Sequence, residues 1–526
     1  MEYKEINRYF LRFKDRAEKV DDDKIQSTFV EVGPIMDILS SENNHIIYGR
    51  RGVGKTHALR YLANLRARSG DLPFYIDLSN LGSDSSIYTN GSLSIPERAT
   101  RLLIDVVNEI AHRILEYIVA DGSSVDMALA NDPYTELLAA ISKVRVTGDV
   151  VQTDKVADSQ NAKNEVDLTA GPDGPRLGIK REDSGSASSE ITTQTTGQQR
   201  YHVEFGEIRG AIDRLLAIFP VKMVWIILDE WSSLPVDLQP YLADLIRRSF
   251  LHSPQIVLKI AAIEHRSQFY LMDHKNHYIG FETGADISGA INLDNYLVFD
   301  NDPQRSTDFF RVLLTKHLEA AFSEGGADPI EASAAIQKAF TQENSFREFV
   351  RATEGVPRDA MHLLAGAAQK AWQDPISMDT VRKAAHEFYQ TDKLSNVNEN
   401  IQARNMLQFI YEKVISHRQT RAFLLSSNDK DEIIDYLFDR RLLHIIDRSK
   451  SAAHRPGERF KVYKIDYGCY VDLANTERYP SGMLFPELES DLELRDVPQD
   501  DARSFRRAIL DLGEFYLSNS QTTFIA

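Results

Sequence analysis

Apolar residues follow two alternating patterns over the first three hundred positions and a single pattern afterwards. Short unbroken apolar runs occur at Ile46-Ile47-Tyr48, Phe74-Tyr75-Ile76, Val224 to Leu228, Ile256 to Ile263 and Tyr296-Leu297-Val298-Phe299. Runs of this kind suit strands buried on both faces of a parallel sheet. Between them lie stretches of helical spacing. One opens at Ile95-Pro96 and continues through Leu102, Leu103, Val106, Val107, Ile110, Ile114 and Ile118; others cover Phe205 to Phe219 and Pro240 to Phe250. Five strands alternating with helices predict an α/β fold: a five-stranded parallel sheet with helices on both faces. From Pro303 the pattern is helical only, over Thr307–Phe322, Ile330–Phe340, Phe346–Thr353, Asp359–Trp372 and Asp379–Tyr389. These helices read as a compact lid.

A third unit begins near Val397. Helices are expected over Ile401–Ile415 and Asp431–Arg441, and strands over Leu442–Ile446 and Phe460–Ile465. Helices followed by a β-hairpin are winged-helix-like. Two stretches depart from both patterns. Residues 144–200 are rich in Asp, Ser, Thr, Gly and Gln, with too few apolar side chains for a core. Short alternating pieces at Glu165–Leu168 and Leu177–Lys180 flank a Gly-Pro-Asp-Gly-Pro turn, so this insertion reads either as a protruding hairpin or as a disordered loop. Residues 484–502 are acidic, and a closing helix is expected over Ala502–Leu517. The expected division is a lead-in at 1–44, an α/β core at 45–302 interrupted by 144–200, a helical lid at 303–396, a winged-helix-like domain at 397–480 and a C-terminal segment at 481–526. In the lead-in, Glu5–Lys19 is a polar helix candidate, and Phe29 to Pro34 precede an apolar helix at Ile35–Leu39. That segment either lies over a bound base or covers a sheet edge.

Composition narrows the class. The 526 residues carry 61 Lys plus Arg against 78 Asp plus Glu, a net charge of −17, which repels nucleic acid except at a local basic patch. Cys469 is the sole cysteine, so a disulfide framework and cysteine-based zinc sites are excluded. No run of 18 apolar residues suggests a membrane span, and Met1–Lys24 lacks the apolar centre of a signal peptide. A cytoplasmic location without membrane association is expected.

The chemistry is concentrated after the first strand. Gly49-Arg50-Arg51-Gly52-Val53-Gly54-Lys55-Thr56 fits G-x-x-x-x-G-K-T, placed between a strand and a helix that begins at His57-Ala58-Leu59. Glycines let the backbone turn tightly and bring consecutive N–H groups close to phosphate oxygens. Lys55 supplies a compact charge for the β- and γ-phosphates, and the Thr56 hydroxyl suits Mg²⁺. The whole loop, Gly49 to His57, is therefore the expected ATP-binding segment. Val224 to Leu228 ends in Asp229-Glu230. At a strand's carboxyl end, Asp229 suits the metal and Glu230 suits activation of the attacking water.

These two motifs resemble Walker A and Walker B of the P-loop ATPases that carry a catalytic glutamate. With Gly355-Val356-Pro357-Arg358 on the lid and a winged helix behind it, the order of parts resembles the AAA+ ATPases, in particular the origin-recognition branch and the related STAND ATPases. The resemblance covers residues 30–475 apart from the insertion. It implies that Arg358 is sensor 2 and touches the γ-phosphate from the lid. It also implies a polar sensor 1 at the end of the fourth strand, where this chain has Glu264 followed by His265 and Arg266. An arginine supplied by a neighbouring subunit is a further implication. Arg247 and Arg248 at the end of the helix after Walker B are placed for that role, or else are surface charges favoured by the helix dipole.

The wing region Asp439–Lys464 has eight Lys or Arg against three acids, yet the preceding helix carries Asp429, Asp431, Glu432, Asp435 and Asp439. Five carboxylates are ill suited to a major groove. The sequence thus points to an ATP-binding and ATP-hydrolysing switch that couples nucleotide state to homo-oligomerisation and to a protein or nucleic-acid partner, as in antiviral-type defence or signalling. The alternative is an origin-recognition-like ATPase that binds duplex DNA through its winged helix.

Overall fold

A computed structural model describes residues 1–13, 21–81, 86–120, 125–142, 144–152, 163–171, 174–182, 193–201, 204–272, 278–398, 400–416, 420–451, 457–476 and 508–522. The acidic stretch 484–502, the C-terminal part of the Glu5–Lys19 helix and the tip of the wing at 452–456 lie outside these residues. The chain forms two compact units, each discontinuous in sequence. One comprises residues 37–47 and 62–291; the other comprises 1–36, 48–61 and 292–526.

The first unit contains the sheet. Strand β1 is His45–Tyr48 and β2 is Leu72–Asp77. Next comes the insertion, in which β3 (Val144–Gln152) pairs antiparallel with β6 (Thr193–Tyr201), and β4 (Lys163–Gly171) with β5 (Gly174–Glu182). Of the two readings of 144–200, its backbone takes the hairpin, with Val166 opposite Ile179 and Leu168 opposite Leu177. Then follow β7 (Val224–Asp229), β8 (Ile256–Ala262), the short antiparallel pair β9 (Tyr270–Met272) and β10 (Tyr278–Gly280), and β11 (Gly289–Asn292). The five-stranded parallel sheet has the order β11-β1-β8-β7-β2. All residues of β7 and β8 are buried, as expected of central strands, whereas β2 at the edge alternates, with Leu72, Phe74 and Ile76 inward.

The fifth strand is a correction. Tyr296–Phe299, read as a strand, begins inside a short helix at Asp294–Leu297, and Gly289–Asn292 forms the edge strand instead. Gly-Ala-Ile-Asn is too short and too mixed to show strand alternation. The apolar residues after it are buried as a helical turn, with Leu297 and Val298 inward.

Lys259 anchors the approach to β1. Its ammonium donates to the Ser41 and Asn43 carbonyls at 2.9 and 2.5 Å, contacts His45 Nδ1 at 2.9 Å and lies over the Trp225 ring. A lysine on an otherwise apolar strand is thus fully buried and satisfied.

The second unit has an extensive core built from the lid helices and the elements that follow them. Lid helices run over Pro303–Gly325, Ala332–Ala339, Glu343–Ala352, Pro357–Ala371 and Met378–Phe388, close to the expected positions. The N-terminal helix, Tyr3–Phe10, inserts Ile6 and Phe10 into this core, while Asn7 donates to the carbonyls of Trp372 and Asp374. In the winged-helix-like part, Ile401–Phe409 is followed by a π-helical stretch at Ile410–Ile415, then β12 (Ala422–Ser426), the helix Glu432–Asp439, β13 (Leu443–Ser451) and β14 (Arg459–Ile465). The sheet order is β12-β14-β13. Sequence reading missed β12. Its residues alternate, Phe423 and Leu425 facing the main core and Ala422 and Leu424 a smaller cluster with Phe460 and Val462. Of the expected closing helix, 502–507 lie outside the described residues; residues 508–510 run beside β12 and bond to Leu424, and a helix covers Leu512–Thr522.

Candidate functional site

Two glycines shape the phosphate loop. Gly52 and Gly54 have φ of +83° and +104°, in the left-handed region that only glycine enters without strain. Val53 between them is buried, and the helix Lys55–Arg68 begins at the end of the loop. Lys55 is buried, and its ammonium donates to the carbonyls of Gly49 and Arg50 at 2.8 and 3.1 Å. Arg51 is exposed, and Thr56 and His57 are half-buried in the first turn of the helix.

Gly52 also explains how the lid reaches the loop. The backbone N–H of Arg358 donates to the Gly52 carbonyl at 3.2 Å. A Cβ at position 52 would lie 2.8 Å from Arg358 Cβ and 3.2 Å from Val356 Cγ1. Two motifs far apart in the chain therefore touch through backbone. Gly355, at φ +74°, permits the turn; a Cβ there would be 2.4 Å from the Leu297 carbonyl oxygen.

Beside the loop is a small apolar cavity of about 70 Å³. Phe29, Val30, Val32 and Ile35 of the lead-in form one wall, Val53, His57 and Ala58 a second, and Leu297, Phe309, Leu313 and Pro357 the rest. Phe29 stacks on Tyr61 with centroids 4.0 Å apart, and His57 Nε2 lies 2.9 Å from the Ile25 carbonyl. Burial lowers the His57 pKa, which keeps the ring neutral. A concave apolar slot next to backbone N–H groups at a helix start suits a flat base with a phosphate tail.

Arg50 behaves differently from the loop around it. Although grouped with the nucleotide-contacting residues by its position, it is buried and turned away into a charged cluster. Its N–H and Nε donate to the two oxygens of Asp294 at 3.0 and 2.8 Å, Nη2 donates to the Glu354 carbonyl at 3.1 Å, and Nη1 meets His444 Nδ1. Burial alone would raise the Asp294 carboxyl; the Arg50 guanidinium overcomes this and holds it below the usual range. The cluster continues. Arg421 and Lys464 bind Glu354 at 2.6 and 2.7 Å, His444 Nε2 donates to Asp466 at 3.2 Å, and Lys393 bridges Asp466 and Asp359 at 2.6 and 3.1 Å. Against the cost of burial, Lys464 and Arg421 hold Glu354 well below the ordinary range, and Lys393 and His444 hold Asp466 down to about 2. Burial and the nearby Arg50 push His444 down to about 4, so the neutral ring donates from Nε2 and accepts at Nδ1. Sequence pattern does not reveal Asp294, Glu354, His444 or Asp466, because their partners are all distant in the chain.

In the sheet unit, Asp229 is buried at the end of β7. One carboxylate oxygen accepts from Tyr75 Oη at 2.7 Å and the other from the Glu230 N–H at 2.8 Å. Each oxygen keeps a lone pair, so the group can still serve as a hard oxygen ligand. Glu230 has φ +54°, which is uncommon for a residue with a side chain. Glu264 is exposed in a short turn, while Ser232 Oγ accepts the Ile263 N–H at the end of the fourth sheet strand. Arg247 and Arg248 both pair with Asp244 at 2.7 Å, and Arg248 also lies over the Phe205 ring.

The ORC-CDC6-like family matches residues 13–69, the segment from the lead-in through the phosphate loop. No curated protein matches the chain. Among solved structures, the Aeropyrum pernix Orc1 protein in complex with DNA is similar at 14% identity and a TM-score of 0.27, over 85% of this chain and 94% of that one. The Thermotoga maritima RuvB Holliday junction branch migration motor is similar at 10% identity and a TM-score of 0.25, over 77% and 80% respectively. At identities and TM-scores this low the fold rests on the chain's own sheet and loop. Among the described residues no helix is long and apolar enough to cross a membrane. With a phosphate loop that follows β1 of a five-stranded parallel sheet, touches the Gly355-Val356-Pro357-Arg358 turn of a helical lid and lies in the segment matched by the ORC-CDC6-like family, the chain resembles the origin-recognition branch of the AAA+ ATPases.

Proposed function

We propose that this protein binds and hydrolyses ATP and uses nucleotide state to set the arrangement of its lid and winged helix. The observation that carries the reading is the contact of Gly52 with the Val356–Arg358 turn, next to an apolar cavity lined by the lead-in. The base enters that cavity against Phe29 and Val32. The loop N–H groups and Lys55 receive the phosphates once the ammonium leaves the Gly49 and Arg50 carbonyls, and Arg358 reaches the γ-phosphate from the lid. Thr56 and Asp229 are the residues that would hold Mg²⁺, whose charge would screen the phosphates. Glu230 accepts the proton of the attacking water.

Two variants test this. Lys55→Ala removes the charge that faces the β- and γ-phosphates, and a labelled ATP analogue should no longer bind; undiminished affinity defeats the reading. Glu230→Gln should bind ATP normally but turn over about 100-fold more slowly, the usual scale for losing a general base. Turnover at the wild-type rate would make Glu230 merely the residue after a strand.

Association with duplex DNA is the second reading, favoured by the family match and by Arg448, Arg459 and Lys461 on strands β13 and β14. It has fewer cations to draw on than the sequence offers, since Arg441 is paired with Asp359 and Lys464 with Asp300 and Glu354. A steep fall in duplex affinity with salt would favour this reading over one in which the partner is a protein.

A further inference from the structure

The lid contains a second cleft, of about 410 Å³, on its helix Glu343–Ala352. Asn344, Arg347, Glu348 and Arg351 line it. Their spacing of three, four and seven residues puts them on one helix face. The opposite rim is formed by Asp300, by Pro303 at the start of a 23-residue helix and by Met378 at the start of an 11-residue helix. Two helix N-termini, each a partial positive charge, thus meet two arginines and an amide around one concavity.

Each of the two lining carboxylates is also met by a cation from outside the cleft. Glu348 is met by Arg382 at 3.4 Å, by Arg351 at 3.7 Å and by the Tyr467 hydroxyl. Asp300 is met by Lys464, which together with Arg421 holds it below the usual carboxylate range against the effect of burial. Asp302 accepts the Arg305 N–H and pairs with its side chain at 3.3 Å. Arg351 is 6% exposed and fixed, whereas Arg347 is exposed at the mouth and has no ion pair among the described residues. A buried, oriented guanidinium behind a solvent-exposed one is an arrangement that captures an oxyanion.

We propose that this cleft binds a phosphorylated small molecule of about mononucleotide size, its phosphate held between Arg347 and Arg351 and its body against Phe299. The volume lies in the range of small-molecule sites. This site lies within the lid and is independent of the proposed hydrolysis.

The test uses the full chain carrying Lys55→Ala, so that the phosphate loop does not compete. Inorganic pyrophosphate and AMP are titrated by calorimetry at low salt. Both should bind, and Arg347→Ala should weaken each by at least about tenfold, with Arg347→Lys intermediate. Because Arg347 is exposed, its variants should keep the parent's melting temperature. Arg351→Lys, which keeps the charge but loses the fork, should weaken binding as well. Absence of binding by both probes at millimolar concentration overturns the proposal, as does equal affinity in Arg347→Ala. A single-stranded 20-mer that binds in an Arg347-dependent manner and is not displaced by pyrophosphate also overturns it, and assigns the arginines to a nucleic-acid backbone instead.

Discussion

Gly52 shows how one residue can serve two motifs. Its positive φ shapes the phosphate loop, and its missing side chain makes room for Val356 and Arg358. Gly52→Ala should therefore cost about 1–3 kcal/mol of backbone strain and push the lid turn away. ATP affinity measured by fluorescence titration should fall at least tenfold, whereas Gly91→Ala, where an added Cβ meets nothing within 4 Å, should leave it unchanged. If Gly52→Ala binds ATP normally, the lid contact has no bearing on nucleotide. The glycine requirement was legible in the motif itself, because phosphate loops need that backbone. The Arg358 contact was legible only through a family resemblance, and Arg50 was misplaced because position in a motif does not say where a long side chain points. Asp294, which belongs to no motif, decides that direction.

At the scale of elements, strands buried on both faces were readable and two of the edge strands were not. β7 and β8 are apolar throughout, so composition alone identified them. β11 and β12 are short, and one borders a helical turn that is more apolar than the strand itself. The charged cluster that joins the lid to the wing strands left no trace in periodicity, but it has a consequence for pH. His444 is held neutral down to about 4, whereas the unfolded chain takes up its proton near pH 6.5. Stability is thus fully present above about 6.5 and is lost as pH falls from there toward 4. Asp466, held to about 2, and Glu354 add a further loss, because the unfolded carboxyls protonate first, near pH 4. The shift of His444 corresponds to roughly 3 kcal/mol at full extent. Urea unfolding at pH 7.5 and pH 5.0 should show the drop, and His444→Gln should reduce it. An identical pH slope in that variant would mean that the other buried histidines account for the whole effect.

For the whole molecule, the assembly question turns on Arg247 and Arg248. Their pairing with Asp244 accounts for both within one chain, but Arg248 remains half exposed and can be lent to a neighbour. If ATP assembles a homo-oligomer with a shared site, Arg247→Ala with Arg248→Ala should bind ATP yet lose turnover, by about 10³-fold if the arginines act in trans. Mixing this variant with Lys55→Ala protein should then restore ATPase activity, since the second subunit keeps its arginines. Absence of recovery together with a monomer by light scattering in ATP and Mg²⁺ returns the pair to surface charges.

The discontinuity of the two compact units also sets a timetable. Residues 48–61 belong with residues 292–526 rather than with the sheet segments that follow them in sequence. During synthesis the phosphate loop emerges early, but Asp294, Glu354, Arg358 and His444 are added more than two hundred residues later. At roughly 5–20 residues per second the loop waits on the order of tens of seconds for its partners. A ribosome-bound chain stalled before residue 292 should be unable to retain ATP, and the capacity for binding should arise abruptly once the lid and wing strands have been made.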